Sequence, residues 1–454
     1  MRTKNPFSRP RSRKSKRAKT ASMTASSRDR LEQALTKIAD PAGEGARACL
    51  TVYADEARKA ADAADARIKS GSARGPLDGA VVTVKDLFDV KGEVTRAGSR
   101  VLAARGKPAE ADAVIVQRLR EAGAVIVAKT NMTEFAYSGL GANPHFGTPG
   151  NPADRKRVPG GSSSGAAVAA ADGIGEIAIG TDTGGSTRIP AAFCGITGFK
   201  PTVKRVPRAG AFPLSFTLDS IGPIARSVAD CANADAVLAG ETPSPLTPPA
   251  LRDVRAGLVQ GYPIEGLDDI VGKAYPLALA KLASSWKSGK DVTLKALDIM
   301  HTANERGGVA PPEAYAVHRT LLAEAGEGVD PNVRMRLLRS EKVAAADYIL
   351  ALRDRERGIA EMDAVFDQFD VLVMPTVQIV APTMEEISTP ESFNKRNVQA
   401  LMNTVIWNFF DTCAISLPIR LGNALPCGLM LVGRHGDDRK LLAIAAAVEK
   451  QLGA

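Results

Sequence analysis

The stretch from 159 to 202, "PGGSSSGAAVAAADG" followed by "EIAIGTDTGGSTRIPAAFCGITGFKPT", constrains this chain more than any other, because it is built largely of Gly, Ser, Ala and Thr. Small side chains let backbones approach one another closely, so the segment is expected at the centre of the molecule, with "EIAIG" as a short strand. It also holds two clusters of glycine beside hydroxyls, at 160–165 and 183–187. Such a cluster can be a phosphate cradle, an oxyanion site or only a tight turn.

The surrounding pattern is α/β. Residues 29–70 have helical spacing with Ala-rich, charge-paired faces. "GAVVTVKDLFDV" (79–90) alternates β-branched residues and reads as a strand ending at Lys85, and "ADAVIVQRLREAGAVIVAKT" reads as helix, glycine stop, strand. Together they predict a βαβ unit and a parallel pairing. Residues 255–365 are helical in pattern and carry long charged runs such as "RMRLLRSEKVAAADYILALRDRERG"; strand-like runs return at "DVLVMPTVQIV", "CAISLPIRL" and "CGLMLVGR". No repeat and no linker divides the 454 residues. No apolar run of about 18 residues predicts a membrane span. Five cysteines without close Cys or His neighbours argue against a zinc site or a disulfide framework, and fit a reducing, cytoplasmic setting.

The net charge of +9 is local. Residues 1–22 hold nine Lys/Arg and no acid, leaving 50 basic against 50 acidic residues in the other 432. The tail reads as a disordered upstream extension with Met23 as the functional start; a targeting or nucleic-acid-binding arm is the alternative. The neutral body gives no electrostatic signal for nucleic acid.

Three chemistries are open to the glycine clusters. Gly180–Thr187 nearly spells a phosphate loop but lacks its lysine, with Ser186 in that place. Gly161–Gly165 formally matches G-x-S-x-G, which would make Ser163 a nucleophile served by a histidine such as His435, yet "RVPG" rather than a β-run precedes it. The four histidines, His145, His301, His318 and His435, lie far in sequence from both clusters, and a lone histidine is more often structural. A serine nucleophile still needs a proton acceptor, and a buried lysine can be one because burial disfavours its ammonium form. Lys85 and Lys129 both end predicted strands, and spacing alone does not choose between them; a snorkelling surface lysine is the alternative for either.

"PGGSSSGAAVAAADG" with "AIGTDTGGSTRIPAAFCGITGFKPT", and upstream "VTVKD" and "AKTNMTEFAYSGLGANPHFGTPGNP", resembles the amidase signature family. The resemblance is close over roughly 29–240 and looser at "LPCGLMLVGR", and 255–365 is divergent. It implies a single large α/β/α domain, spanning 23–454, around a twisted mixed sheet, with no metal or organic cofactor. It implies Lys85 as the catalytic lysine, Ser162 as a second serine following a cis peptide, and Ser186 as the nucleophile. Thr183, Gly184 and Gly185 would then present backbone N–H groups to the developing oxyanion, glycine having no Cβ to obstruct approach. Arg188 and Asp182 are expected to form an internal ion pair or loop clamp, and Cys194 to be a packed thiol.

The function expected is an amidohydrolase forming an acyl-enzyme on a small-molecule amide, with esters, anilides or carbamates also open to it. The alternatives are the A subunit of a tRNA-dependent amidotransferase and a non-catalytic, basic-tailed binding protein. A homodimer is the oligomer considered. The substrate pocket is expected around "FAYSGLGANPHFG" and within the divergent 255–410 region.

Overall fold

Val81, Val125, Val127 and Ala178 pack into one apolar cluster, while Val82, Val84, Ile126, Ile177 and Ile179 pack into another. Adjacent residues of three strands thus bury on opposite faces, which requires cover on both sides of the sheet. The strands are β1 (Cys49–Val52), β2 (Val81–Lys85), β3 (Val125–Thr130), β4 (Ile177–Asp182), β5 (Thr197–Lys200), β6 (Ser220–Ala225), β7 (Arg255–Val259), β8 (Ser288–Val292), β9 (Val371–Pro375), β10 (Cys413–Ile419) and β11 (Cys427–Gly433). They form one 11-stranded sheet in the order β1-β3-β2-β4-β6-β5-β10-β11-β9-β7-β8. This computed structural model describes residues 25–453. The basic tail at 1–22 and the proposed start at Met23 lie outside the described residues.

The sheet is mixed. β2 is parallel to both β3 and β4, and the Val114–Glu121 helix joins β2 to β3 as the expected βαβ unit. β4 to β6, and β10 to β5 and β11, are antiparallel. The chain is a single α/β domain around this sheet.

Local readings fail where strands are short or at an edge. The helical stretch 29–70 is two long helices, Ser27–Ala39 and Ala54–Lys69, separated by a single helical turn at Gly45–Ala48 and by β1, a strand of four residues that is too short to show a period. The first helix opens with a capping box in which the Ser26 side chain accepts from the Asp29 N–H. Residues 255–365 are mostly helix but also supply β7 and β8. β8, "SGKDV", is the outermost strand with its central residues exposed, so no apolar alternation marks it.

The small-residue run forms the Ser164–Ala171 helix, in which residues 164–170 are all buried. A helix apolar on every side belongs in the interior, and this one packs against β2, β3, β4 and β6. It fixes the serine-rich turn before it against the carboxyl ends of the parallel strands, the edge where open α/β sheets place their ligands.

Candidate active site

Lys85 is the last residue of β2 and is fully buried. Its Nζ donates to Ser162 Oγ at 2.7 Å and to Thr181 Oγ1, on adjacent β4, at 2.9 Å. Both acceptors are neutral hydroxyls, so no carboxylate touches the amine. Burial drives its pKa down to about 7, against the opposing pull of Asp182 and Asp219. At neutral pH a large share of this amine is uncharged.

Ser162 reaches the lysine through a tight backbone crossing. The Gly161–Ser162 peptide is cis, the Gly161 N–H donates to the Gly139 carbonyl at 2.8 Å, and the Thr133 N–H donates to the Ser162 carbonyl at 3.1 Å. A Cβ on Gly161 would lie 2.6 Å from the Gly141 nitrogen, so two glycine backbones meet here with no room for a side chain.

Ser186 lies on the turn from β4 into the Arg188–Cys194 helix and is 4% exposed at a cavity of about 260 Å³. Thr183 and Gly184 line the same cavity. The turn is built around Asp182. Its carboxylate accepts from the Gly185 N–H at 2.8 Å, the Thr187 N–H at 3.1 Å, Asn408 Nδ2 at 2.9 Å, and Arg188 Nη2 and Nε at 2.8 and 3.0 Å. Burial alone would raise this carboxyl's pKa, but Arg188, Lys200 and Asn408 together hold it well below the usual range. The Asp182–Arg188 pair is therefore the expected internal clamp, with both side chains fully buried.

One expectation is corrected here. The Gly185 N–H, expected to face the oxyanion, is engaged by Asp182, because a buried carboxylate draws in every donor within reach. Lys85 and Ser162 are brought into direct contact, and Ser186, Thr183 and Gly184 share the adjoining cavity. Ser162 and Ser186 are not hydrogen-bonded to each other among the described residues. Thr181 is a partner that sequence reasoning missed; its signal was a hydroxyl two residues beyond Ile179, on the same face of the strand.

The competing readings separate clearly. Lys129 is also buried, but its Nζ lies 3.5 Å from Asp86 Oδ1, so it neutralises a buried carboxylate. Neither lysine is a surface residue. Ser163 Oγ donates to the Thr181 carbonyl at 3.4 Å, and no histidine lines the cavity. His145 pairs with Glu134, His435 with Asp411, and burial lowers His318 to about 4 against the Phe135 ring. The Cys194 thiol is buried, with its sulfur 3.3 Å from the Pro159 carbonyl. No helix among the described residues is long and apolar enough to cross a membrane.

The rest of the cavity wall includes Tyr137, Ser138, Met300, Asn304, Arg336 and Phe409. Gly185 lies between the lining residues Gly184 and Ser186. It has φ +134°, and a Cβ there would lie 2.2 Å from Thr404 Oγ1 and 2.7 Å from Ile189 Cδ1. Gly185→Ala is expected to lower kcat/KM at least tenfold and to destabilise the protein by about 1–3 kcal/mol, read from steady-state rates and a denaturant midpoint.

A family model described as Amidase matches residues 30–442. The chain is 36% identical over 403 residues to a 2-amino-5-chloromuconic acid deaminase of Comamonas testosteroni, with 87% of each chain covered. It is 35% identical to the A subunit of a glutamyl-tRNA(Gln) amidotransferase from Anaeromyxobacter dehalogenans, over 96% of this chain and 95% of that one. A solved structure described as the crystal structure of amidase superposes with a TM-score of 0.84 at 35% identity, covering 94% of this chain and 97% of the other.

Proposed function

The chain belongs to the amidase family and is a hydrolase of carboxamide C–N bonds, and from that premise we propose that Ser186 is its nucleophile, Lys85 its base and Ser162 the hydroxyl between them. The observation that carries this reading is the 2.7 Å contact of Lys85 Nζ with Ser162 Oγ, buried and free of any carboxylate, beside the cavity that Ser186 enters.

In the first half-reaction Ser186 Oγ attacks the amide carbon, its proton passes to Ser162 Oγ, and the Ser162 proton passes to Lys85 Nζ. The relay then runs backwards. Ser162 protonates the departing nitrogen, Lys85 returns a proton to Ser162, and the C–N bond breaks to leave an ester on Ser186. Water attacks that ester by the same route and releases the acid, so one amide and one water give one acid and one amine. Hydrogen bonds of this kind are commonly long in a free enzyme and tighten when substrate is bound, which is where the Ser162–Ser186 step closes. Acid–base transfer of this sort contributes about 10²–10⁴-fold.

The negative oxygen is received by N–H groups of the Thr183–Ser186 turn. With the Gly185 N–H engaged by Asp182, those of Thr183, Gly184 and Ser186 remain for it, each worth about 2.7–4 kcal/mol in comparable sites. Esters, anilides and carbamates share this acyl-transfer chemistry and are candidate substrates.

A second reading is favoured by the likeness to the A subunits of amidotransferases. There the same serine would release ammonia for delivery to another subunit. Ammonia release by the purified chain, followed against pH, separates the two and tests the base. For a stand-alone hydrolase with Lys85 as base, kcat/KM rises with pH, reaches a plateau above an apparent pKa near 7, and falls about tenfold per unit below it as the amine protonates. Activity that appears only with partner subunits supports the second reading. A rate independent of pH between about 5 and 9 excludes Lys85 as the base.

A further inference from the structure

Arg336, in the Pro331–Leu338 helix, lines the same cavity as Ser186 and is the only charged side chain among the described residues that do so. It makes no ion pair among the described residues. Its guanidinium carbon lies 4.5 Å from the centre of the Tyr137 ring, and its Nη1 is shut off from solvent without a hydrogen-bond partner. The charged side chain that acts on it is a second cation, Arg339. Two other arginines that are largely shielded from solvent are paired, Arg188 with Asp182 and Arg205 with Asp235. A buried charge without a counter-ion is strongly unfavourable, and a guanidinium fork matches a carboxylate in a bidentate manner.

The remaining lining decides what else the ligand carries. Leu214, Leu218, Met300, Val309, Leu401 and Phe409 are apolar, and no Asp or Glu lines the cavity. An ammonium group would find there a cation, a largely apolar wall and, besides Ser186, the neutral polar side chains of Ser138, Thr183 and Asn304.

We propose that the substrate of this site is an amide bearing a carboxylate that pairs with Arg336 and bearing no ammonium group, so that acid amides are taken and amino-acid amides such as glutamine are refused. This rests on the hydrolase reading above and names its substrate class. The single carboxylate sits against the Tyr137-backed guanidinium, and the body of the molecule spans apolar wall to reach Ser186.

Matched compounds test it. Succinamate and butyramide differ by a carboxylate in place of a methyl, as do glutaramate and valeramide; adding an α-ammonium converts succinamate to asparagine and glutaramate to glutamine. An aromatic pair, 4-carbamoylbenzoate and p-toluamide, covers bulkier acyl groups. For at least one pair the acid amide is expected to exceed its methyl counterpart about tenfold or more in kcat/KM, and its ammonium derivative by a similar factor. Arg336→Met should collapse the first ratio through KM, and Arg336→Lys should restore part of it. Equal rates within every pair, glutamine or asparagine as good as its parent, or a ratio untouched by Arg336→Met would each overturn the proposal. Failure of every amide to turn over counts against the hydrolase reading, and binding then decides this one. The acid amides should raise the thermal midpoint of the Ser186→Ala protein, and do so less when Arg336→Met is added; no acid amide raising it, or an equal rise in both, overturns the proposal.

Discussion

Ser186→Ala is expected to reduce kcat/KM for amide hydrolysis by about 10⁴–10⁶-fold, with a thermal midpoint near that of the unaltered protein. The two halves of the expectation have separate causes. The Ser186 hydroxyl makes no hydrogen bond among the described residues and borders a cavity, so its removal strands no partner and costs well under about 1 kcal/mol. On the proposed mechanism no oxygen is then left to form the ester, and what remains is the residual acceleration from substrate positioning and the proposed oxyanion donors. Lys85→Met should fall in the same range, since it removes the proposed proton acceptor while keeping most of the volume. Groups that act as a unit are not additive, so the Ser186→Ala, Lys85→Met double variant should be hardly slower than either alone. Multiplying losses would mean that the two residues serve separate steps, and an active Ser186→Ala protein would remove the nucleophile assignment. Ammonia release under single-turnover and steady-state conditions reads all three.

The candidate site was legible in sequence to the extent that its residues lie in local patterns. The strand ending at Lys85, the parallel partner beyond the next helix and the glycine–hydroxyl turns at 160–165 and 183–187 lie in short segments that stand out by composition, although composition left several uses open to the turns. Between Lys85 and Lys129, however, strand position gave no choice; only the resemblance did. The structure shows the physical distinction: Lys129 faces the Asp86 carboxylate and Lys85 faces two hydroxyls. That difference comes from Ser162, 77 residues away, and no local pattern carries it. Asn408 was missed for the same reason, since it reaches Asp182 across 226 residues. Arg336 sat in a run that reads as a charged helix without a chemical motif, and only the packing of that helix over Tyr137 turns one of its arginines into the cavity. Gly185 was misread for a subtler reason: glycine predicts freedom of approach but not which neighbour claims its N–H.

Arg188→Met is expected to destabilise the protein by about 3–5 kcal/mol, the largest stability effect of any substitution considered, and to depress activity even where the protein remains folded. The guanidinium supplies two of the donors on Asp182, and also donates to the Thr404 carbonyl at 3.1 Å and to Asn408 Oδ1 at 2.7 Å. Methionine fills much of its volume and replaces none of those bonds, leaving a fully buried carboxylate without its cation. The pH dependence identifies the cause. With Arg188 present, the folded-state pKa of Asp182 lies below its unfolded value, so the pair contributes stability at pH above about 4 and loses it as pH falls through the folded value. In the variant, burial acts unopposed by Arg188 and the folded pKa rises, so protonation relieves the strain on acidification. The gap in unfolding midpoint between the two proteins should therefore be widest at neutral pH and shrink towards pH 4. Asp182→Asn should show a gap without that trend, because it carries no titrating group. Activity provides the link to mechanism: Asp182 holds the Gly185 and Thr187 N–H groups, so loosening it displaces Ser186 and should lower kcat more than it raises KM. A gap that stays constant from pH 7 to 4 would mean that the loss comes from packing, and that the carboxylate is neutral in the native turn.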